Sequence, residues 1–279
     1  MSIDLTGLQG KIAIVTGAGR MRSIGRSIAV TLARAGCDVV LTGTGRAPEH
    51  YPKDEQAAGW RDIESVAEEI RALGRRALAV VSDVSKFEAV EALLARVIGE
   101  FGAVDVLVNN AGASRGTDRV PIVDLPIEEW RRVLDTNLHG AFYMSKACAQ
   151  RMVMQGRGGS IVNISSLASR LLAAETGAYA ASKVAVNALS TVMAAELGPY
   201  GVRVNAVCPG VIDTSRLDDI GRGEMWAAML KTFVPLGRAG TGEDIANLVA
   251  FLCSDQGAWI SGQHIYVDGG HSFTPRRPQ

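Results

Sequence analysis

Lys11-Ile12-Ala13-Ile14-Val15-Thr16-Gly17-Ala18-Gly19-Arg20-Met21-Arg22-Ser23-Ile24-Gly25 is the stretch that decides the fold. Lys11–Thr16 is an apolar run of strand length, glycines then break the chain, and a helical period starts at Ile24. Such a turn lets backbone approach a pyrophosphate, which then lies at the positive N-terminus of the helix. Gly17, Ser23, Ile24 and Gly25 are therefore candidate cofactor contacts. By itself the turn is a weak signal, because many glycine turns are merely tight.

Outward from it, the same alternation runs along the chain. Asp38–Thr42, Ala77–Ser82, Asp105–Asn109, Ser160–Ser165 and Arg203–Cys208 read as buried strands, with a last one at His264–Val267. Helical patterns lie between them at Ile24–Ala35, Asp62–Leu73, Phe87–Phe101, Ile127–Met154, Tyr179–Leu197 and Glu243–Cys253. Continuous apolar strands separated by helices predict an α/β fold, a single-domain doubly wound (Rossmann) parallel sheet of about seven strands. Nothing in 1–279 reads as a repeat or an interdomain linker. Two segments break the rhythm. Gly43–Trp60 is long for a strand-to-helix connection, and Thr214–Arg238 is an interrupted helical stretch with Met225, Trp226, Met229 and Phe233. The Pro- and Arg-rich tail 274–279 is expected to fray.

Composition narrows the function classes. Lys+Arg and Asp+Glu are both 29, a formal net charge of zero, so no broad surface attracts a polyanion and nucleic acid is not the expected partner. Cys37, Cys148, Cys208 and Cys253 are too far apart for a disulfide framework or a zinc site, and the scattered histidines suggest no metal. No apolar run reaches a membrane span, and the first residues do not read as a secretory signal. The expectation is a cytoplasmic protein.

At the cofactor end, Asp83-Val84 closes the third strand, where Asp83 could meet an adenine amino group or equally cap the next helix. Asn109-Asn110-Ala111-Gly112 closes the fourth strand at the edge where open α/β sheets bind ligands, although a plain turn also uses Asn and Gly. NAD-preferring sites place a carboxylate after the second strand, whereas this chain has Leu41-Thr42-Gly43-Thr44-Gly45-Arg46. Without that carboxylate a 2′-phosphate is not repelled, and Arg46, Arg22 or Arg20 could hold it by charge-assisted bonds. The reading favours NADP(H), with NAD(H) as the alternative.

The strongest pattern is Ser165-Ser166 followed by Tyr179-Ala180-Ala181-Ser182-Lys183. Tyr179 and Lys183 are i and i+4, on one face of a helix. Asn137 sits inside a long helical pattern, where asparagine has poor propensity and needs a reason. In this order and spacing, the Thr16-Gly17 turn, Asp83, Asn109 to Gly112, Asn137, Ser166, Tyr179-x-x-x-Lys183, Pro209-Gly210 and Asp268-Gly269-Gly270 resemble the short-chain dehydrogenase/reductase family over nearly the whole chain. The resemblance implies Tyr179 as acid/base, Ser166 orienting the substrate oxygen, Lys183 on the nicotinamide ribose and Asn137 anchoring a relay water. It also implies cofactor contacts from Tyr179, Pro209, Gly210, Ile212 and Thr214, and a homotetramer.

The chemistry suits those residue types. A free tyrosine has a pKa of about 10, and base work near neutrality needs it lowered to about 7, worth about 4 kcal/mol. A cationic Lys183 pulls in that direction, and Ser166 can donate to a developing alkoxide. The expected reaction is hydride transfer between a nicotinamide cofactor and a secondary alcohol or ketone, both small molecules. The alternatives are a cofactor-sensing binding protein on the same fold and an enoyl reductase. The glycine turn is about two residues longer than is common in the family, with Ser23 at the middle glycine, and longer turns occur in the related enoyl reductases. Those separate Tyr and Lys by six residues, whereas three intervene here. By the same resemblance 214–238 is the substrate lid, its four large apolar side chains a candidate pocket wall. Ser114-Arg115 and Leu167–Leu172 are the expected pocket border, and Arg115 or Arg170 could pair with an anionic substrate group.

Overall fold

A computed structural model describes residues 5–272, so the tail at 274–279 lies outside the described residues. Strand β1 (Ile12–Thr16) leads to helix α1 (Ile24–Arg34), β2 (Asp38–Gly43), α2 (Lys53–Ala57), α3 (Ile63–Ala72) and β3 (Ala77–Val81). There follow α4 (Phe87–Phe101), β4 (Val106–Asn109), α5 (Ile127–Leu134), α6 (Gly140–Gln155) and β5 (Gly159–Ile164). The chain continues through α7 (Gly177–Leu197), β6 (Val202–Pro209), α8 (Glu224–Phe233), α9 (Gly242–Cys253) and β7 (His264–Val267). The sheet order is β3-β2-β1-β4-β5-β6-β7, and every pairing is parallel.

All five residues of β1 are buried, because helices cover both faces of the sheet. One apolar cluster joins α1, α3 and α9 to alternate strand residues such as Ala13, Val15, Val106 and Val108. The other joins α4, α6 and α7 to Ile12, Ile14, Leu107 and Ile161. Neighbouring residues of one strand thus serve opposite layers, as the two-residue period requires. Full burial of a Leu107-sized side chain contributes about 1.5–3 kcal/mol.

The strand order reverses between β1 and β4, which pair directly (Val15 with Val108). The connections there leave on opposite faces, so a crevice opens beyond the carboxyl ends of these strands. The long helical pattern predicted over Ile127–Met154 is α5 and α6 joined by a π-helical turn, Asp135–His139, with Asn137 at its centre. The irregular stretch Gly43–Trp60 contains α2, which the sequence pattern did not show.

Candidate active site

A cleft of about 1420 Å³ lies over the crevice and reaches from the glycine turn to Lys183. Gly17, Arg22, Ser23, Ile24, Gly25, Arg46, Asp83, Val84, Ala111, Gly112, Ser166, Tyr179, Lys183, Pro209, Gly210, Ile212 and Thr214 all line it. The turn is built to keep its floor open. Gly17 takes φ +65, and a Cβ there would stand 2.7 Å from the Ala111 Cα. The Thr16 hydroxyl accepts the amides of Asn110 and Ala111, each at 3.0 Å. Ser23 caps α1, its Oγ accepting from Arg26 N–H.

Asn109 departs from expectation. It faces the core, donating to Ser145 Oγ at 2.8 Å and to Asn163 Oδ1 at 2.7 Å, and does not line the cleft. Its neighbour Asn110 does, and braces the turn through the carbonyls of Thr16 and Gly17, each at 2.9 Å. The pleat explains the exchange: successive side chains at a strand end face opposite ways. Asp83 accepts from Ser85 N–H and Oγ–H, closing a turn ahead of α4, whose N-cap is Lys86.

The two oddities of the sequence, the longer turn and the Gly43–Trp60 segment, prove to be one structure. Met21 N–H donates to Glu55 Oε1 at 2.7 Å, and Trp60 Nε1–H donates to Gly19 O at 2.6 Å. Asp62 fills the space beside Gly19 and leaves no room for a side chain there. It holds φ 54, ψ −131, a conformation costing a non-glycine residue about 1–3 kcal/mol. Its carboxylate also stands 3.8 Å from where a Gly43 Cβ would be, so the acidic group missing from the end of β2 arrives from the start of α3.

Two of the three candidate phosphate-binding arginines already have carboxylate partners. Arg22 is held by Asp54 and Asp218 at 2.8 and 2.6 Å, and Arg46 by Glu55 and Asp62 at 3.4 and 3.3 Å. Arg46 keeps one buried amino group, Nη1, with no hydrogen-bond partner. Arg20 lines the cleft, and among the described residues no carboxylate forms an ion pair with it.

At the other end, α7 carries Tyr179 and Lys183 on one face. Lys183 is buried, and its ammonium donates to Ile164 O at 2.8 Å. Burial pushes its pKa down, Tyr179 opposes and Arg216 adds to the fall. Burial alone would raise the Tyr179 phenol. The Lys183 ammonium, Arg216, a hydrogen bond with Ser166 and Arg119 outweigh it, so the net displacement is downward. Ser166 sits half-buried at the end of β5, where its Oγ also accepts from Ala168 N–H. Asn137 is buried and ties two elements together: Oδ1 accepts from Ala113 N–H at 2.8 Å, and Nδ2 donates to Ser182 Oγ at 3.0 Å. The wider turn carrying it is the irregularity that its poor helix propensity signalled.

The lid stretch corrects another expectation. Trp226 packs with Leu230 and Val234 in a small cluster of its own, Met225 and Phe233 are exposed, and only Met229 of the four lines the cleft. Ser114 and Arg115 border the cleft, but Leu167–Leu172 do not, and Ala174–Thr176 do so instead. Arg115 pairs with Asp219, and Arg170 lies over the Tyr266 ring. The sequence reading missed Arg119 and Arg216, which stand over the Tyr179 ring at 4.4 and 5.3 Å from its centroid. Arg119 comes from a loop and Arg216 from a short 3₁₀ turn, Ser215–Ile220, neither of which has a periodic signal.

A family model described as enoyl-(acyl carrier protein) reductase matches residues 17–272. L-rhamnose 1-dehydrogenase (NAD(P)(+)) of Azotobacter vinelandii is 39% identical over 264 residues, covering 93% of this chain and 96% of that protein. 2-Dehydro-3-deoxy-D-gluconate 5-dehydrogenase of Escherichia coli is 33% identical over 270 residues, covering 97% and 98%. The structure of a gluconate 5-dehydrogenase from Burkholderia cenocepacia in complex with NADP and tartrate superposes with a TM-score of 0.84 at 31% identity, covering 97% and 98%. With the parallel sheet and the Ser166–Tyr179–Lys183 face, these matches show that the chain belongs to the short-chain dehydrogenase/reductase family.

Proposed function

We propose that this protein is an NAD(P)-dependent oxidoreductase interconverting a secondary alcohol and a ketone, with Tyr179 as its acid/base. The observation that carries the reading is the Tyr179 phenol standing over the cleft beside Ser166 and on one face of α7 with the buried Lys183, an arrangement that draws its pKa down. The cleft fits a dinucleotide: the side-chain-free floor at Gly17, the capped start of α1 and the Arg20 guanidinium suit a pyrophosphate, and Lys183 suits a ribose. When bound, the nicotinamide supplies or accepts the hydride at the substrate carbon. Tyr179 donates its proton to the carbonyl oxygen in reduction and removes the hydroxyl proton in oxidation. Ser166 donates to the same oxygen. The Asn137 side chain is engaged at both ends and keeps the 113 loop and α7 in register.

The matched family description favours a second reading, reduction of an activated carbon–carbon double bond. The three-residue Tyr179–Lys183 interval favours the first. A panel of secondary alcohols, ketones and enoyl thioesters with both cofactors separates them. Turnover of alcohols and ketones is expected. Turnover of enoyl thioesters alone would establish the second reading, and tight cofactor binding without any turnover would make the protein a sensor.

For the cofactor we propose a modest preference for NADP(H), resting on Arg20 and the unpartnered Nη1 of Arg46, and offset by Asp62. Replacing Asp62→Asn removes a negative charge beside the 2′ position and is expected to raise the NADP:NAD ratio of kcat/KM about tenfold. An unchanged ratio, or a wild-type preference for NAD(H), would defeat this assignment. We further propose a cytoplasmic homotetramer. The four cysteines are buried and unpaired, and Phe142 of α6 with Val184 and Val192 of α7 leave apolar surface for a second copy. No described helix is long and apolar enough to cross a membrane.

A further inference from the structure

Three cations stand close to the Tyr179 ring. Besides Lys183, the groups acting most strongly on it include two further cations, Arg216 and Arg119. Both guanidinium groups line the cleft and stand over the Tyr179 ring, at 5.3 and 4.4 Å from its centroid. Neither is used up by the protein. Arg119 pairs with one carboxylate, Asp118, whose Oδ2 lies 3.4 Å from the buried Nε without forming a hydrogen bond, and its two amino groups remain for a ligand. Arg216 donates one bond, from Nη1 to Ala113 O at 2.6 Å, which leaves its other N–H groups for a ligand. Arg216 differs in this from Arg115 and Arg132, which Asp219 and Glu129 hold at the cleft edge.

The two guanidinium groups share one carboxylate, so this end of the cleft keeps a partly buried positive charge that an anion would complete. The arginine fork matches a carboxylate, which it binds through two parallel bonds. We propose that the substrate is a hydroxy or keto carboxylate, its carboxylate held between Arg119 and Arg216 within a few bonds of the carbon that Tyr179 serves. This rests on the proposed alcohol/ketone reading and adds the substrate class. Arg119 comes from the segment after β4 and Arg216 from the start of the lid, so a carboxylate between them also draws the lid toward the site.

The test uses the intact protein with oxidised cofactor bound. Tartrate is titrated calorimetrically, and kcat/KM is measured on a panel of four- to six-carbon hydroxy acids, each beside its own amide. The wild type is expected to bind tartrate and to prefer acids over amides by about 100-fold, the worth of a charge-assisted pair. Arg119→Gln and Arg216→Gln are each expected to remove tartrate binding and to cut the preference to about tenfold or less, mainly through KM. Arg119→Lys restores part of it. Amides used as well as acids, with turnover still abolished by Tyr179→Phe, would overturn the carboxylate assignment and leave the reaction class standing. Turnover unaffected by Tyr179→Phe would instead overturn the reaction class. A sugar phosphate binding where tartrate does not would replace carboxylate by phosphate and overturn the assignment as stated.

Discussion

Replacing Tyr179→Phe is expected to lower kcat by about 10³-fold while leaving cofactor affinity nearly unchanged. The phenol stands beside Ser166 and Lys183, which draw its pKa down, and positioned acid/base groups contribute about 10²–10⁴-fold. The ring remains in phenylalanine, so its packing with Ala113, Val133 and Ala178 is retained. The pH dependence follows with a definite sign. Because the phenol lies below its ordinary 10, oxidation, which needs phenolate, gains rate with rising pH and levels off below pH 10. Reduction, which needs the phenol, loses rate over the same range. Lys183→Met removes the largest opposing charge and is expected to move both limbs upward. A profile unchanged in that variant, or near-normal turnover by Tyr179→Phe, would remove Tyr179 from the chemistry.

The other large effect is expected far from that proton. Glu55 is buried in a segment that looks like a surface connection, yet it accepts Met21 N–H and pairs with Arg46. Glu55→Ala strands a half-buried amide and removes the buried carboxylate that pairs with Arg46, at a cost of about 3 kcal/mol. For a chain of this size that corresponds to a fall in Tm of roughly 6–10 °C. The damage also lands on the turn that receives the cofactor, so cofactor Kd is expected to rise at least about tenfold. Thermal melting and a fluorescence titration measure the two separately. A loss of stability with unchanged Kd would show that α2 supports the fold without shaping the turn. Trp60→Phe gives a graded comparison, losing the bond to Gly19 O for about 1 kcal/mol while keeping an aromatic ring in place.

The sequence made the sheet and the Tyr179 face legible because both are local signals. Seven apolar runs and an i, i+4 pair need only periodicity, and Ser166 follows from its place at a strand end. The failures were of spatial closure. Asn109 and Asn110 are adjacent letters, and only the pleat determines which one meets the cleft. Asp62 lies 19 positions beyond Gly43 in the numbering yet fills the place where a carboxylate was judged missing. The apolar residues of the lid suggested a pocket wall, but three of the four turned into a separate cluster or out to solvent. Arg119 and Arg216 lie on irregular segments, where no period tells which way a side chain points.

Asp62 has a consequence for how such a protein can change. Its backbone occupies a region where glycine is at ease and aspartate is not, and its carboxylate stands at the cofactor edge. Glycine at this position would relieve the backbone, and the same step would remove one of the two carboxylates that hold Arg46 and the negative charge at this edge of the cleft. Backbone ease and the charge at the mouth of the cleft are therefore inherited together at one site, and relief of the first cannot come without loss of the second.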